Sequence, residues 1–283
     1  MALHDFIPSY LEKKCRALDE VLAPHERIAV AYSGGGDSTF LAWYAQRVLN
    51  KTVYAILAST PLLSERELGI ALTLAEELGF ALERIPLDTA SIPQVGENTK
   101  ERCYFCKKEV MTRVKARAEE LGCTAVVDGS HAGDRKVYRP GARAIEELGI
   151  LSPLAVAGLE KKEIRELSRL AGLSTWNRPS QSCLATRIPY GTPLTPELLS
   201  RIDRAETLLY QLGCEQVRVR SHGDTARIEV PPELFPLLTE EKARKTIVEH
   251  FRLLGFLHVS LDLAGYRSGS WDEADAPAGN GKA

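Results

Sequence analysis

The stretch Ala29–Thr39, AVAYSGGGDST, decides the fold. It begins as an apolar strand, passes through three glycines set between two serines, and runs directly into the helical pattern TFLAWYAQRVLN. Glycine lets a backbone approach an anion closely and adopt positive φ. A helix amino terminus beginning near Asp37 adds unpaired N–H groups and the positive end of a dipole. A plain strand-to-helix turn needs one glycine rather than three, so Ser33, Gly34, Gly35, Gly36, Asp37, Ser38 and Thr39 are expected to cradle a phosphate. No Gly-Lys-Ser/Thr follows and the spacing G-x-G-x-x-G is missing, which excludes a Walker loop and a dinucleotide fingerprint.

Outward from this loop, short apolar runs alternate with amphipathic helical stretches: TVYAILAS, ERELGIALTLAEELG, LERIPLD, CKKEVMTRVKARAEELG, TAVVDGS and LEKKEIRELSRLAGL. That alternation implies βαβ units and an α/β fold, a doubly wound parallel sheet covered on both faces. Ligands of such sheets bind at the carboxyl ends of the strands, where the glycine loop lies. Past Gly191 the rhythm becomes helix, two strands joined through SHGDT, helix and strand, the pattern of a small α+β domain. We therefore expect domains over 1–192 and 193–268, with an Ala/Gly/Asp-rich tail over 269–283 that has little to bury.

The composition, 44% hydrophobic and 26% charged with a net charge of -2, is that of an ordinary globular protein. No apolar run approaches the length of a membrane span and no signal-peptide pattern opens the chain, so a cytoplasmic location without membrane partners is expected. Between Lys100 and Pro189, 17 Lys and Arg stand against 11 Asp and Glu, a local basic bias with no readable nucleic-acid-binding module. Of the six cysteines, Cys15, Cys123 and Cys214 sit in helical or helix-end patterns and read as packing residues. Cys103 and Cys106 form C-x-x-C at a helix start, and Cys183 lies in the loop RPSQSCLATRIPYG between Arg178 and Arg187, cations suited to lowering a thiol pKa or holding an anion.

The run SGGGDS at the end of a first strand resembles the pyrophosphate loop of the PP-loop ATP pyrophosphatases. The resemblance implies cleavage of ATP between its α and β phosphates and transfer of AMP to a substrate oxygen. DGSHAGD, Asp128–Asp134, follows the fourth strand, so Asp128 and the amide of Gly129 are expected at the same sheet edge, where the acid would hold Mg2+ on the ATP phosphates; the plain alternative is turn formation and capping.

The segments VYRPGARAIEELGILSPLAVAGLEKKEIRELSRLAGL and WNRPSQSCLATRIPYG together resemble the LarE sulfur transferases, over about Leu18 to Leu263. The most specific parts are ERCYFCKKE, CLATRIPYG and RVRSHGDTARIEV. The resemblance implies that each carboxylate of a small nucleotide, pyridinium-3,5-dicarboxylate mononucleotide, is adenylated and converted to a thiocarboxylate in the making of the nickel-pincer nucleotide. One branch of the family sacrifices the cysteine of this loop. The other holds a [4Fe-4S] cluster on three cysteines and leaves one iron open to carry sulfide from an unidentified donor. With CYFC present, Cys103, Cys106 and Cys183 are expected as cluster ligands, with Arg187 beside the chemistry. A zinc site completed by a residue such as His131 and a redox C-x-x-C are weaker readings.

Arg218 and Arg220 stand two apart on a strand, hence on one face, with His222 beyond; they read as a clamp for the substrate phosphate or as a solvated face. The resemblance suggests a divalent ion at Glu206 and Glu229, which as residues read equally well as surface carboxylates. It also implies a homo-oligomer, such as a hexamer. A tRNA-thiolating enzyme would share the loop and the cysteines but would need a broad basic surface. An ammonia-dependent synthetase leaves the three cysteines idle, and a nucleotide-binding regulator would release no pyrophosphate.

Overall fold

The computed structural model describes residues 7–136 and 140–267; the VYR of the resembling segment and the tail over 269–283 lie outside the described residues. In chain order the elements are α1 Ser9–Leu22, β1 Arg27–Tyr32, α2 Gly36–Trp43, β2 Thr52–Ser59, α3 Glu65–Leu78, β3 Ala81–Pro86, α4 Pro93–Gly96, α5 Arg102–Glu120, β4 Ala125–Val127, α6 Pro140–Glu147, α7 Pro153–Val156 and α8 Lys161–Leu170. They continue with α9 Pro196–Gln211, β5 Arg218–His222, β6 Thr225–Glu229, α10 Phe235–Thr239, α11 Glu241–Leu253 and β7 His258–Leu261.

The chain divides into two compact units, one of residues 1–96 and 100–181, the other of 97–99 and 182–283. The expected boundary lies near Pro193; the loop carrying Cys183 groups with the second unit. Residues 97–99 join it because buried Asn98 donates from its side-chain amide to the carbonyls of Ile188 (3.3 Å) and Pro189 (2.8 Å) and accepts the amide of Gly191 at 3.1 Å.

In the first unit the strands run parallel in the order β3-β2-β1-β4. Central β1 buries Ile28, Ala29 and Val30 completely, as a strand covered on both faces must. Register is fixed by pairs such as Val30 with Ala55 and Val30 with Val127. Helix α2 follows β1 with no exposed face over Ser38–Ala42 and ends in a widened turn, Tyr44–Val48. Helices α1 and α6 and the short α4, α7 and α10 were not anticipated. Helix α1 buries Leu11, Cys15, Leu18 and Leu22 on one stripe, and α6 packs beside α5.

In the second unit β5 and β6 pair antiparallel across the Gly223–Asp224 turn, while β6 and β7 run parallel. Helices α9 and α11 cover this sheet through Leu209, Ile247 and Phe251, with Cys214 and, just past α11, Phe256 packed among them. The rings of Phe251 and Phe256 lie 5.8 Å apart, and the Arg201 guanidinium stands 4.2 Å over Phe256. Among the described residues no helix is long and apolar enough to cross a membrane.

Truncating fully buried Phe256 to Ala removes this layer at once, so Phe256→Ala is expected to cost about 3–5 kcal/mol, read as a lowered denaturation midpoint. An unchanged midpoint would contradict the packing described.

Candidate functional site

The glycine loop is shaped by what presses on it. Gly34 has φ +69°, and a Cβ built there would stand 2.6 Å from the Cβ of Ala71 on α3. At Gly36 a Cβ would stand 3.2 Å from the carbonyl oxygen of Thr175. Gly129, just after β4, lies so close beneath α2 that a Cβ would meet the amide nitrogen of Ser38 at 2.9 Å. Close approach therefore requires glycine at Gly34 and Gly129 and leaves little room at Gly36, and Gly129 stands against the first turn of α2. Two hydroxyls close the loop internally. Ser33 N donates to Ser38 Oγ (3.3 Å), the Ser33 and Ser38 hydroxyls are 3.1 Å apart, and Ser38 Oγ donates to Gly35 O at 3.2 Å.

Charged groups then hold the loop from outside. Arg178 donates through Nη1 to Gly34 O at 2.7 Å and through Nη2 to Glu67 at 2.5 Å. Asp37, in the first turn of α2, receives Lys161 Nζ on Oδ2, while its buried Oδ1 has no hydrogen-bond partner. That open oxygen suits a hard cation such as Mg2+. Asp128 is differently placed. Only 2% exposed, it accepts from Ser130 Oγ (2.6 Å), Ser152 Oγ (2.7 Å) and Ser130 N (3.3 Å), with Lys107 Nζ 3.8 Å away. Most of its acceptor capacity is spent on ordering the turn.

Lys161 and the destination of Arg178 were missed from sequence. Lys161 lies in LEKKEIRE, where charge at a helix start reads as a solvated face; only tertiary structure brings it to Asp37. Arg178, expected beside the thiol, turns instead to Gly34 and Glu67.

In the second unit Cys183 is exposed and caps a single 3-10 turn, Leu184–Arg187. Arg187 is 2% exposed and grips the buried carboxylate of Glu206 through Nε (2.9 Å) and Nη2 (3.0 Å). Its Nη1 reaches into the turn and donates to Ser182 O (2.8 Å), Ser182 Oγ (2.9 Å), Cys183 O (3.0 Å) and Thr186 Oγ1 (2.9 Å). Burial works against the charge of Arg187, but Glu206 outweighs it and the pKa is raised. The guanidinium thus binds the backbone around Cys183.

The strand arginines are buried rather than solvated. Arg220 grips Glu229 through Nε (3.1 Å to either oxygen) and Nη2 (3.0 Å), and its Nη1 donates to Thr186 O. Arg227 adds a contact to Glu229 at 2.9 Å. Arg218 donates to Val217 O at 2.9 Å and Tyr266 Oη at 3.0 Å; burial and the nearby Arg187 charge lower its pKa. The pKa of exposed His222 is lowered by partial burial of its ring, then by Arg227 and Arg220, which favours neutral imidazole. Glu206 and Glu229 are likewise buried, not surface, carboxylates, each paired with an arginine.

Cys103 is exposed and Cys106 half-buried on the opening turn of α5, three residues apart and so on neighbouring positions of one face. Tyr104 between them is clamped: its hydroxyl donates to Glu147 at 2.7 Å and the Arg143 guanidinium lies 3.6 Å from its ring centroid. Thiolate is a donor chemically suited to iron. Among the described residues no three His, Cys, Asp or Glu side chains are gathered as a metal site.

The profile of the NAD synthase family matches residues 7–120. An uncharacterized protein of Synechocystis sp. is 42% identical over 259 residues, covering 92% of this chain and 97% of its own. The pyridinium-3,5-bisthiocarboxylic acid mononucleotide synthase of Lactiplantibacillus plantarum is 36% identical over 266 residues, covering 93% and 95%. An uncharacterized protein of Methanocaldococcus jannaschii is 32% identical over 247 residues, covering 86% and 92%.

Replacing Gly34 by Ala sets a methyl group against Ala71 and forces a side-chain-bearing residue into left-handed backbone, a strain of about 1–3 kcal/mol. ATP affinity, measured by direct titration, is expected to fall at least about ten-fold, equivalent to 1.4 kcal/mol. Affinity like that of the unaltered protein would remove the loop from nucleotide binding.

Proposed function

Because the chain belongs to the family of pyridinium-3,5-bisthiocarboxylic acid mononucleotide synthase, the LarE sulfur transferases, we propose that it is an ATP-dependent sulfurtransferase acting on pyridinium-3,5-dicarboxylate mononucleotide. A substrate carboxylate oxygen attacks the α-phosphorus of ATP, the bond to the β-phosphate oxygen breaks, and pyrophosphate leaves. Sulfide sulfur then attacks the acyl carbon and AMP departs with the carbon–oxygen electron pair, leaving a thiocarboxylate. The observation that carries this reading is the glycine loop, rigidly held with its amides at the start of α2 and flanked by Lys161 and Asp37.

In this scheme Ser33, Gly34, Gly35, Gly36, Ser38 and Thr39 hold the departing pyrophosphate. Lys161 exchanges its bond to Asp37 for one to phosphate, and the open oxygen of Asp37 takes Mg2+. Asp128 and Gly129 keep the loop floor in place. In the second unit Arg218, with neutral His222 at the strand end, receives the substrate phosphate. Arg220 is largely committed to Glu229 and the Cys183 turn.

For sulfur delivery we assign Cys103, Cys106 and Cys183 as thiolate ligands of a [4Fe-4S] cluster. The support is their position outside the core, in contrast to buried Cys15 and Cys214. Such a cluster, when bound, supplies an open iron for a removable sulfide. The proposal includes assembly as a homo-oligomer, for which exposed Leu253, Leu257 and Leu263 of the second unit offer apolar surface.

Anaerobic preparations of the unaltered chain and of Cys183→Ala test the sulfur step, with iron and acid-labile sulfide counted. About four irons per chain in the former, lost or depleted in the latter, are expected. Absence of iron in both after anaerobic reconstitution would sink the cluster and point to Cys183 as the consumed sulfur source, seen by mass spectrometry as loss of the elements of hydrogen sulfide from that residue. The activation step has its own check: AMP and pyrophosphate should appear only when the pyridinium dicarboxylate is present.

A further inference from the structure

The turn that presents Cys183 is too short to hold itself. One 3-10 turn fixes several dihedrals for few hydrogen bonds, and alone it would be a minor conformer. Its main-chain carbonyls are held by guanidiniums in addition to the bonds from its own Thr186. Those of Ser182 and Cys183 accept Arg187 Nη1, and that of Thr186 accepts Arg220 Nη1. Bonds from a guanidinium to a carbonyl are charge-assisted, and two arginines fix three carbonyls within five residues.

Neither arginine is free to wander. Glu206 on α9 holds Arg187 by a two-bond fork and also accepts the amide of Val219 at 2.9 Å, which ties α9, β5 and the turn to one carboxylate. Glu229 on β6 holds Arg220 through three bonds and Arg227 through one. All four groups, Arg187, Glu206, Arg220 and Glu229, are at most 4% exposed. Burying such pairs gains little net stability over an apolar core of the same shape, so stability alone does not account for them. What they do supply is direction, a fixed orientation for the backbone on either side of the thiol.

We infer that Glu206 and Glu229 are positioning residues for Cys183, acting through Arg187 and Arg220, rather than ligands of a divalent ion. This rests on the reading that Cys183 handles the sulfur, and it adds that sulfur transfer, not carboxylate activation, is the step these acids govern. Gln in place of either acid keeps the shape but removes the charge that aims the guanidinium.

The test uses the full-length chain with Glu206→Gln and, separately, Glu229→Gln. Because a buried arginine left without its carboxylate destabilises the fold, the pair replacement Arg187→Met with Glu206→Gln serves as the variant that loses both charges together. Three readouts are taken: amide hydrogen exchange over residues 182–188, pyrophosphate released, and thiocarboxylate formed. Exchange in that segment is expected to rise at least about ten-fold while the glycine-loop amides keep their protection. Thiocarboxylate formed per pyrophosphate released is expected to fall at least about ten-fold, equivalent to 1.4 kcal/mol. Unchanged exchange over 182–188 in the pair variant would overturn the inference. So would a constant ratio of the two products, which marks a general structural role, or recovery of the ratio on adding excess Mg2+ or Mn2+, which marks an ion site. A Cys183→Ser chain that still transfers sulfur catalytically would instead overturn the role of Cys183; the exchange measurement judges the tethering of the turn independently of that result.

Discussion

The backbone at Gly34 runs so close to α3 that there is no space for a single methyl group between it and Ala71. The surrounding loop answers to that constraint. With the Gly34 carbonyl turned to Arg178, the succeeding peptide groups continue into α2 and present its first amides at the carboxyl edge of the sheet. Gly129 repeats the requirement from below, since its lack of a side chain lets β4 bring Asp128 within one layer of Ser38. The loop is consequently arranged before any ligand arrives, and preorganised dipoles stabilise developing charge without reorganisation at the moment of reaction.

The parallel sheet was readable because both faces of β1 and β2 are buried, so their sequences are almost uninterruptedly apolar. The hairpin of the second unit was readable from Gly223 and Asp224 between two alternating runs. Helix α1 has an apolar stripe at Leu11, Cys15, Leu18 and Leu22, but it precedes the first strand and lies outside the βαβ alternation. The roles of the arginines were harder. A period of two says that Arg218 and Arg220 share a face; it does not say that the face is closed off, because the partners, Tyr266 and Glu229, come from other parts of the chain. Arg178 and Arg187 bracket the cysteine in sequence, yet one binds the glycine loop and the other binds the turn. Distance along the chain carries no information about which way a long side chain points.

Two kinds of electrostatic work are thereby separated. In the first unit, cations lie close to a loop whose neighbour Asp37 retains an open oxygen, an arrangement that can trade partners when phosphate and metal arrive. In the second, the charges of Arg187 and Arg220 are already neutralised by buried acids and are not available for exchange at similar cost. Partly buried, exchangeable pairs suit binding and release; fully buried, forked pairs suit holding a reactive group at a set angle. Family membership and this division agree with a protein that first activates an oxygen and then delivers a sulfur.

Asn98 gives the second unit a history in time as well as a shape. Its carboxamide closes on the carbonyl of Ile188, 90 residues further along, so the unit is not one continuous length of chain. At a synthesis rate of roughly 5–20 residues per second, Asn98 is made roughly 5–20 s before its partners. The first strands can form in that interval, but the segment around Asn98 must wait. A gene fragment beginning at Ser182 would lack this strap altogether, so the second unit is not a module that can be cut out by choosing a start codon.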